Sequence, residues 1–166
     1  MNTQAGPMGE NLSDSPQLRI LAQYVKELSF QNPMAAASAR SYDAQPQIDM
    51  GVEVKSRPMG SEGNAYEVDL RINVGAKRGE DTLFLVDLTY SGLFEFDNVQ
   101  DADVEPMLWV ECPRLLFPFS RQILAEVTRE GGYPPLMINP IDFTPLYVAE
   151  LREREREGGG ANAASF

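Results

Sequence analysis

Histidine is absent from this 166-residue chain, cysteine occurs once, and lysine plus arginine number 14 against 25 acids. Without histidine, the commonest general base and the commonest metal ligand are both missing. A single Cys112 excludes an internal disulfide framework and a multi-cysteine metal cluster, and fits a reducing compartment. As a nucleophile it would need a lysine or a helix N-terminus to form its thiolate, so it reads as a buried structural residue. A net charge of −11 argues against nucleic acid, which demands clustered Lys and Arg. No apolar run approaches the roughly 20 residues of a membrane span. The start, "MNTQAGPMGENLSDSPQ", lacks a basic stretch followed by an apolar core, so the protein is expected to stay in the cytoplasm. "NLS" at Asn11 matches a glycosylation sequon of a length that arises by chance. There is no phosphate-cradling glycine loop, no dinucleotide fingerprint and no internal repeat. What remains open is a non-enzymatic role with a basic partner, or a need to stay soluble while exposing apolar surface.

Three segments alternate with period two, the signature of strands with one buried and one wet face. In "IDMGVEVK" the apolar positions are Ile48, Met50, Val52 and Val54; in "YEVDLRINVGAK" they are Tyr66, Val68, Leu70, Ile72 and Val74. "LFLVDLTYSGLFEFD" places Phe84, Val86, Leu88, Tyr90, Phe94 and Phe96 on one side. The short, turn-like connections "RPMGSEGN" and "KRGED" predict that these strands follow one another as a meander. "QLRILAQYVKELSF" fits two descriptions. Leu18, Leu21, Ala22, Val25 and Leu28 have helical spacing, with Asp14 or Ser15 available as a cap, whereas residues 24–31 alternate.

After Asp97 the pattern turns helical, with Leu116, Phe119, Ile123 and Val127 at helical spacing and Pro113 and Pro118 expected to kink or subdivide the element. A second helix is expected with Thr144 as cap and Pro145 at its first position, running through "LYVAELRERERE". Strands first and helices last give an α+β class. One domain is expected over residues 17–157, with flexible tails at 1–16 and 158–166.

Two features do not fit a plain two-layer domain. Opposite the buried set of the third strand stand Leu83, Leu85 and Leu93, beside Asp87 and Glu95. Leucines among acids on a nominally wet face imply either a cover or a partner bearing apolar and basic groups. In "GGYPPLMINPIDF", three prolines among Tyr133, Leu136, Met137, Ile138, Ile141 and Phe143 forbid a helix or a central strand. Such a segment is more apolar than a surface loop usually is.

The strings "YVKELSFQNP" and "CPRLLFPFSRQILAEVTREGGYPPLMINPIDFTPLY" resemble the SecB family of bacterial protein-export chaperones, and the resemblance runs from about Leu18 to Leu151. It implies a four-stranded antiparallel sheet followed by two C-terminal helices, with "YVKELSF" in the first strand, assembling as a dimer of dimers. It implies an ATP-independent holdase, a homotetramer without cofactor or metal of its own, that binds unfolded preproteins and passes them to the export ATPase SecA. The basic, zinc-bearing tail of SecA would dock at Glu27, Gln31, Leu85 and Asp87; Gln31 stands where an acid is common. Clients would contact Phe30, Ile48, Met50, Val52, Tyr133, Leu136, Phe143 and Tyr147, and Ala44 stands where many relatives have tryptophan. The alternatives are a chaperone of the same fold dedicated to one client, such as a labile antitoxin, and a structural module whose apolar loop seals subunits together.

Overall fold

The computed structural model describes residues 15–38 and 45–160; the expected N-terminal tail up to residue 14, most of the C-terminal one and Ala44 lie outside the described residues. Four antiparallel strands, β1 (Gln17–Gln31), β2 (Gln47–Met59), β3 (Ala65–Arg78) and β4 (Asp81–Asp97), form one sheet in the order β1-β4-β3-β2. The expected meander therefore holds for β2 to β4, while β1 crosses over to pair with the last strand, a Greek-key order. The β3–β4 hairpin turns on Gly79, whose φ of 61° lies in the left-handed region open to glycine at little cost.

Strand β1 settles the double reading of its sequence. Its register against β4 shifts between Ile20 and Ala22 and again between Val25 and Glu27. Each shift inserts one extra residue, so the helix-facing positions become Leu18, Ile20, Gln23, Val25, Leu28 and Phe30. Two β-bulges thus break the strict period of two, and of the residues with helical spacing Leu18, Val25 and Leu28 share this face while Leu21 and Ala22 do not.

One face of the sheet carries the core. Val54 of β2, Val68, Leu70, Ile72, Val74 and Ala76 of β3, and the even positions of β4 from Phe84 through Phe96, Gly92 among them, are buried there. A single helical turn, α1 (Ala35–Ser38), lies between β1 and β2, and after β4 come α2 (Asp101–Pro106), α3 (Cys112–Glu130) and α4 (Thr144–Gly160). Residues Met107–Glu111, between α2 and α3, wind with π-type spacing. Pro113 lacks the N–H that would bond the carbonyl four residues back, and a widened turn just before it absorbs that loss. Helix α3 packs on β3 and β4 through Leu116, Phe117 and Leu124. Gly92 makes the approach possible, because a Cβ there would lie 2.6 Å from Phe94 and 2.9 Å from Leu116.

Helix α4 starts one residue earlier than expected: Asp142 Oδ1 accepts from the Thr144 N–H at 3.0 Å, and the Phe143 carbonyl accepts from Tyr147 at 3.1 Å. Phe143 is thus the flanking residue and Asp142 supplies the capping carboxylate. The helix continues through Gly158 to Gly160, the first three residues of the expected C-terminal tail. Among the described residues, no helix is long and apolar enough to cross a membrane.

Candidate functional site: two surfaces on opposite faces

On the outer face, the strand register assembles the acidic candidates. Gln31 of β1 lies directly across from Leu85 of β4, and Ser29 across from Asp87, which leaves Glu27 diagonal to Asp87. Glu27, Gln31, Leu85 and Asp87 line one depression of about 380 Å³, completed by Ser29, Asn73 and Gly75. Leu85 is 43% exposed. The other two leucines expected outward are not: Leu83 falls at a register irregularity between β3 and β4 and turns into the core. Leu93 is half-buried among its cross-strand partners Ala22 and Glu67.

Asp87 is already engaged. Arg71 grips it in a fork, Nε to Oδ1 at 3.0 Å and Nη2 to Oδ2 at 2.6 Å. Those hydrogen bonds hold the Asp87 carboxyl below its ordinary range against an opposing effect of burial. Beside this pair a second network joins all four strands. Glu67, only 4% exposed, accepts from Tyr24 and Lys26 of β1 and Arg57 of β2; Asp69 accepts from Lys26 and from Ser91 of β4. Burial would raise the Glu67 carboxyl, but the hydrogen bonds from Arg57, Tyr24 and Lys26 outweigh it and hold it down at about 2. The same contact with Glu67 pushes the Tyr24 hydroxyl up.

On the helix side, the apolar candidates fall into two groups rather than one continuous patch. Phe30 stacks on Phe84 with ring centres 5.8 Å apart, and Tyr133 lies on the other flank of Phe84 at 4.9 Å. The Tyr133 hydroxyl donates to Asn32 Oδ1 at 2.7 Å and lies 3.0 Å from the Leu83 carbonyl, while Asn32 Nδ2 donates to the Gly131 carbonyl. A Cβ at Gly131 would sit 2.4 Å from the Phe30 ring, so a larger residue there would displace that ring. The second group lies at the opposite edge. Register places Phe30, Val86, Val74 and Met50 in one row across the sheet, so the two edges are about 14 Å apart. There Ile48 and Met50 are 42% and 46% exposed. Val52 joins Val54, Trp109 and Leu146 around a groove of about 560 Å³ against α4, and Tyr147 stacks on Trp109 at 6.2 Å.

The proline-rich loop is pinned between these groups. The Tyr133 N–H bonds the Thr128 carbonyl, and Thr128 Oγ1 accepts from the Leu136 N–H at 2.9 Å. Leu136 is half-buried, Ile138 is buried and Met137 is 67% exposed. The expectation for Phe143 is corrected: it is 2% exposed and packs edge-on against Phe117, because it precedes a capped helix whose first turn folds it under α3. Phe143 belongs to the core of this chain. Met137, one of the loop's apolar residues, and Trp109 stand outside the expected client set, because an apolar residue in a proline-rich loop or an irregular helix has no periodicity to reveal its direction.

A third apolar area needs cover. Ile20, Val25 and Leu28 of β1 and Leu115 and Phe119 of α3 are exposed on the helix side of the sheet edge. Among the described residues, no cluster of three or more His, Cys, Asp or Glu could hold a metal ion. Cys112 is buried, and desolvation pushes its thiol up to about 12, the opposite of an activated nucleophile.

Comparison with known proteins bears on this arrangement. The family profile described as preprotein translocase subunit SecB matches residues 11–154. The protein-export protein SecB of Maricaulis maris is 45% identical over 157 residues, covering 95% of this chain and 90% of that protein. The protein of the same name from Hyphomonas neptunium is 46% identical over 155 residues, covering 92% and 91%. Among solved structures, the SecB-like chaperone of Mycobacterium tuberculosis, in complex with a peptide from the HigA1 antitoxin, superposes with a TM-score of 0.59. It has 12% identity and covers 75% of this chain and 88% of that one, a likeness of fold.

Proposed function

The chain belongs to the SecB family of protein-export chaperones, and from that premise we propose a division of labour between its two faces. The helix side holds unfolded preproteins, and the outer face hands them to the translocation ATPase SecA. The observation that carries this reading is the meeting of Glu27, Gln31, Asp87 and the exposed Leu85 in the lining of one depression. Such a site suits a basic peptide bearing an apolar residue, as the tail of SecA would supply.

Client holding rests on Ile48, Met50 and Val52 at the β2 edge, with Tyr147 behind them, and on Phe30, Tyr133 and Leu136 near the loop. Each apolar side chain that becomes fully covered contributes about 1.5–3 kcal/mol, offset in large part by ordering the client. Several shallow contacts then give affinity without demanding a sequence. The thioethers of Met50 and Met137 adapt to varied shapes. This is binding without catalysis, carried out in the cytoplasm.

Assembly follows from the uncovered edge. Strand β1 is 15 residues long and lies at the sheet edge, where an unpaired, apolar strand invites association. Ile20, Val25, Leu28, Leu115 and Phe119 are suited to a second copy of this chain, and a dimer of dimers is the assembly we favour.

The test is charge reversal at Glu27 and Asp87. Binding of the SecA tail should weaken at least tenfold, while the delay imposed on folding of a slow-folding preprotein stays unchanged. Equal loss of both would sink the division between faces. Failure of the unaltered protein to delay folding would sink the chaperone reading itself.

A further inference from the structure

The acid best placed to receive a basic peptide is not vacant in this chain. Both Asp87 oxygens are taken by the Arg71 guanidinium, the geometry in which arginine binds a carboxylate most tightly. Arg71 also has a second acid within reach. It lies directly across from Glu53 in the β2–β3 register, and its Nη1 is 3.6 Å from Glu53 Oε2. Arg71 and Glu53 line a neighbouring hollow of about 270 Å³ together with Lys26, Lys55, Asp69 and Thr89. Glu27 borders both hollows, so the Arg71–Asp87 pair is the partition between them.

We propose that Arg71 is an internal competitor at the docking site, holding Asp87 until a basic peptide displaces it toward Glu53. This inference rests on the reading that the Glu27–Leu85–Asp87 depression takes such a peptide, and adds how its affinity is set. Without a partner, the pair spares the face an uncompensated acid. With a partner, a lysine or arginine of the incoming peptide replaces the guanidinium on Asp87, and Arg71 swings across the β3 ridge to Glu53. One intramolecular ion pair is exchanged for another, so docking stays weak enough to reverse. Selectivity follows too: a single lysine meets a competitor already in place, whereas a peptide that also seats an apolar side chain on Leu85 has a second source of affinity.

The test uses the full-length protein and a short fluorescein-labelled peptide of lysine and leucine, read by anisotropy at low salt. Arg71→Gln should tighten binding by roughly three- to tenfold, the scale of removing one solvated charge within a few ångströms of the binding acid. Asp87→Asn should weaken it, and the double variant should show no gain over Asp87→Asn alone. Glu53→Gln should weaken binding only when Arg71 is present. Arg71→Lys, which keeps the charge but loses the fork, should fall between the unaltered protein and Arg71→Gln, and serves if Arg71→Gln does not fold. If Asp87→Asn weakens binding but Arg71→Gln does not tighten it, the competitor is overturned and the docking site stands. A gain that persists without Asp87, or a Glu53→Gln effect that persists without Arg71, also overturns it, because a diffuse field would then suffice. If neither Asp87→Asn nor Glu27→Gln affects the peptide, the docking reading itself fails.

Discussion

Substituting Glu67 by Gln should cost the folded protein about 2 kcal/mol at neutral pH, and the loss should disappear in acid. Glu67 ties both edge strands to β3, accepting from Tyr24 and Lys26 on one side and Arg57 on the other. Its carboxyl is lowered from 4.5 to about 2 in the folded chain, which at about 1.4 kcal/mol per pH unit corresponds to roughly 3 kcal/mol. Lys26 and Arg57 are themselves 37% and 60% exposed, so solvent screening reduces that figure to about 2 kcal/mol. The sign follows from the lowered folded value. Stability from this carboxylate is complete above the unfolded 4.5 and drains away as pH falls toward 2. Urea unfolding of both proteins at pH 7 and at about pH 2.5, at one fixed protein concentration because assembly stabilises the folded state, measures the difference. A gap of about 2 kcal/mol that shrinks to a few tenths in acid is expected. A gap of the same size at both pH values would refute the electrostatic account and leave only a change of packing. No gap at pH 7 would refute the network's role altogether.

Two further predictions concern the helix side and the buried thiol. Phe143→Ala should destabilise the fold by about 3–5 kcal/mol, as loss of a buried aromatic does, whereas Ile48→Ser with Met50→Ser should leave thermal stability within about 0.5 kcal/mol yet shorten client retention. Stability curves and a refolding-delay assay on the same samples separate the two, and a stable Phe143→Ala that releases clients would return Phe143 to the binding surface. Cys112, buried with its thiol pushed up to about 12, should resist iodoacetamide in the folded protein at pH 8 and react fully in denaturant. Rapid modification of the native form would show that the core around α3 opens.

Much of this molecule was legible in its sequence, and the failures have physical causes. Strands β2, β3 and β4 announced themselves because apolar and polar residues alternate along most of their length. Strand β1 did not, because two bulges change which residues share a face without changing the composition. A third irregularity in the β3–β4 pairing reversed Leu83 and spared Leu85. The four outer-face residues come from the family resemblance, and the strand register brings them together. The apolar loop was harder. Its prolines specify that it is irregular, but direction depends on anchors remote in sequence, such as Asn32 meeting Tyr133 and Gly131. That is why Phe143 reads as surface and is core, while Met137, outside the expected client set, is exposed. The position of Arg71 against Asp87 likewise needs the pairing of β3 with β4, which no local pattern contains.

The Greek-key order has a consequence for how the protein is made. About fifty residues separate the end of β1 from the start of β4, and the pairing is complete only when Gln17 meets Asp97. At roughly 5–20 residues per second, the first strand therefore emerges from the ribosome several seconds before its partner. During that interval the nascent chain carries Ile20, Leu21, Val25 and Leu28 with nothing to pair them. A protein whose trade is to shield unfinished chains begins its own life as one.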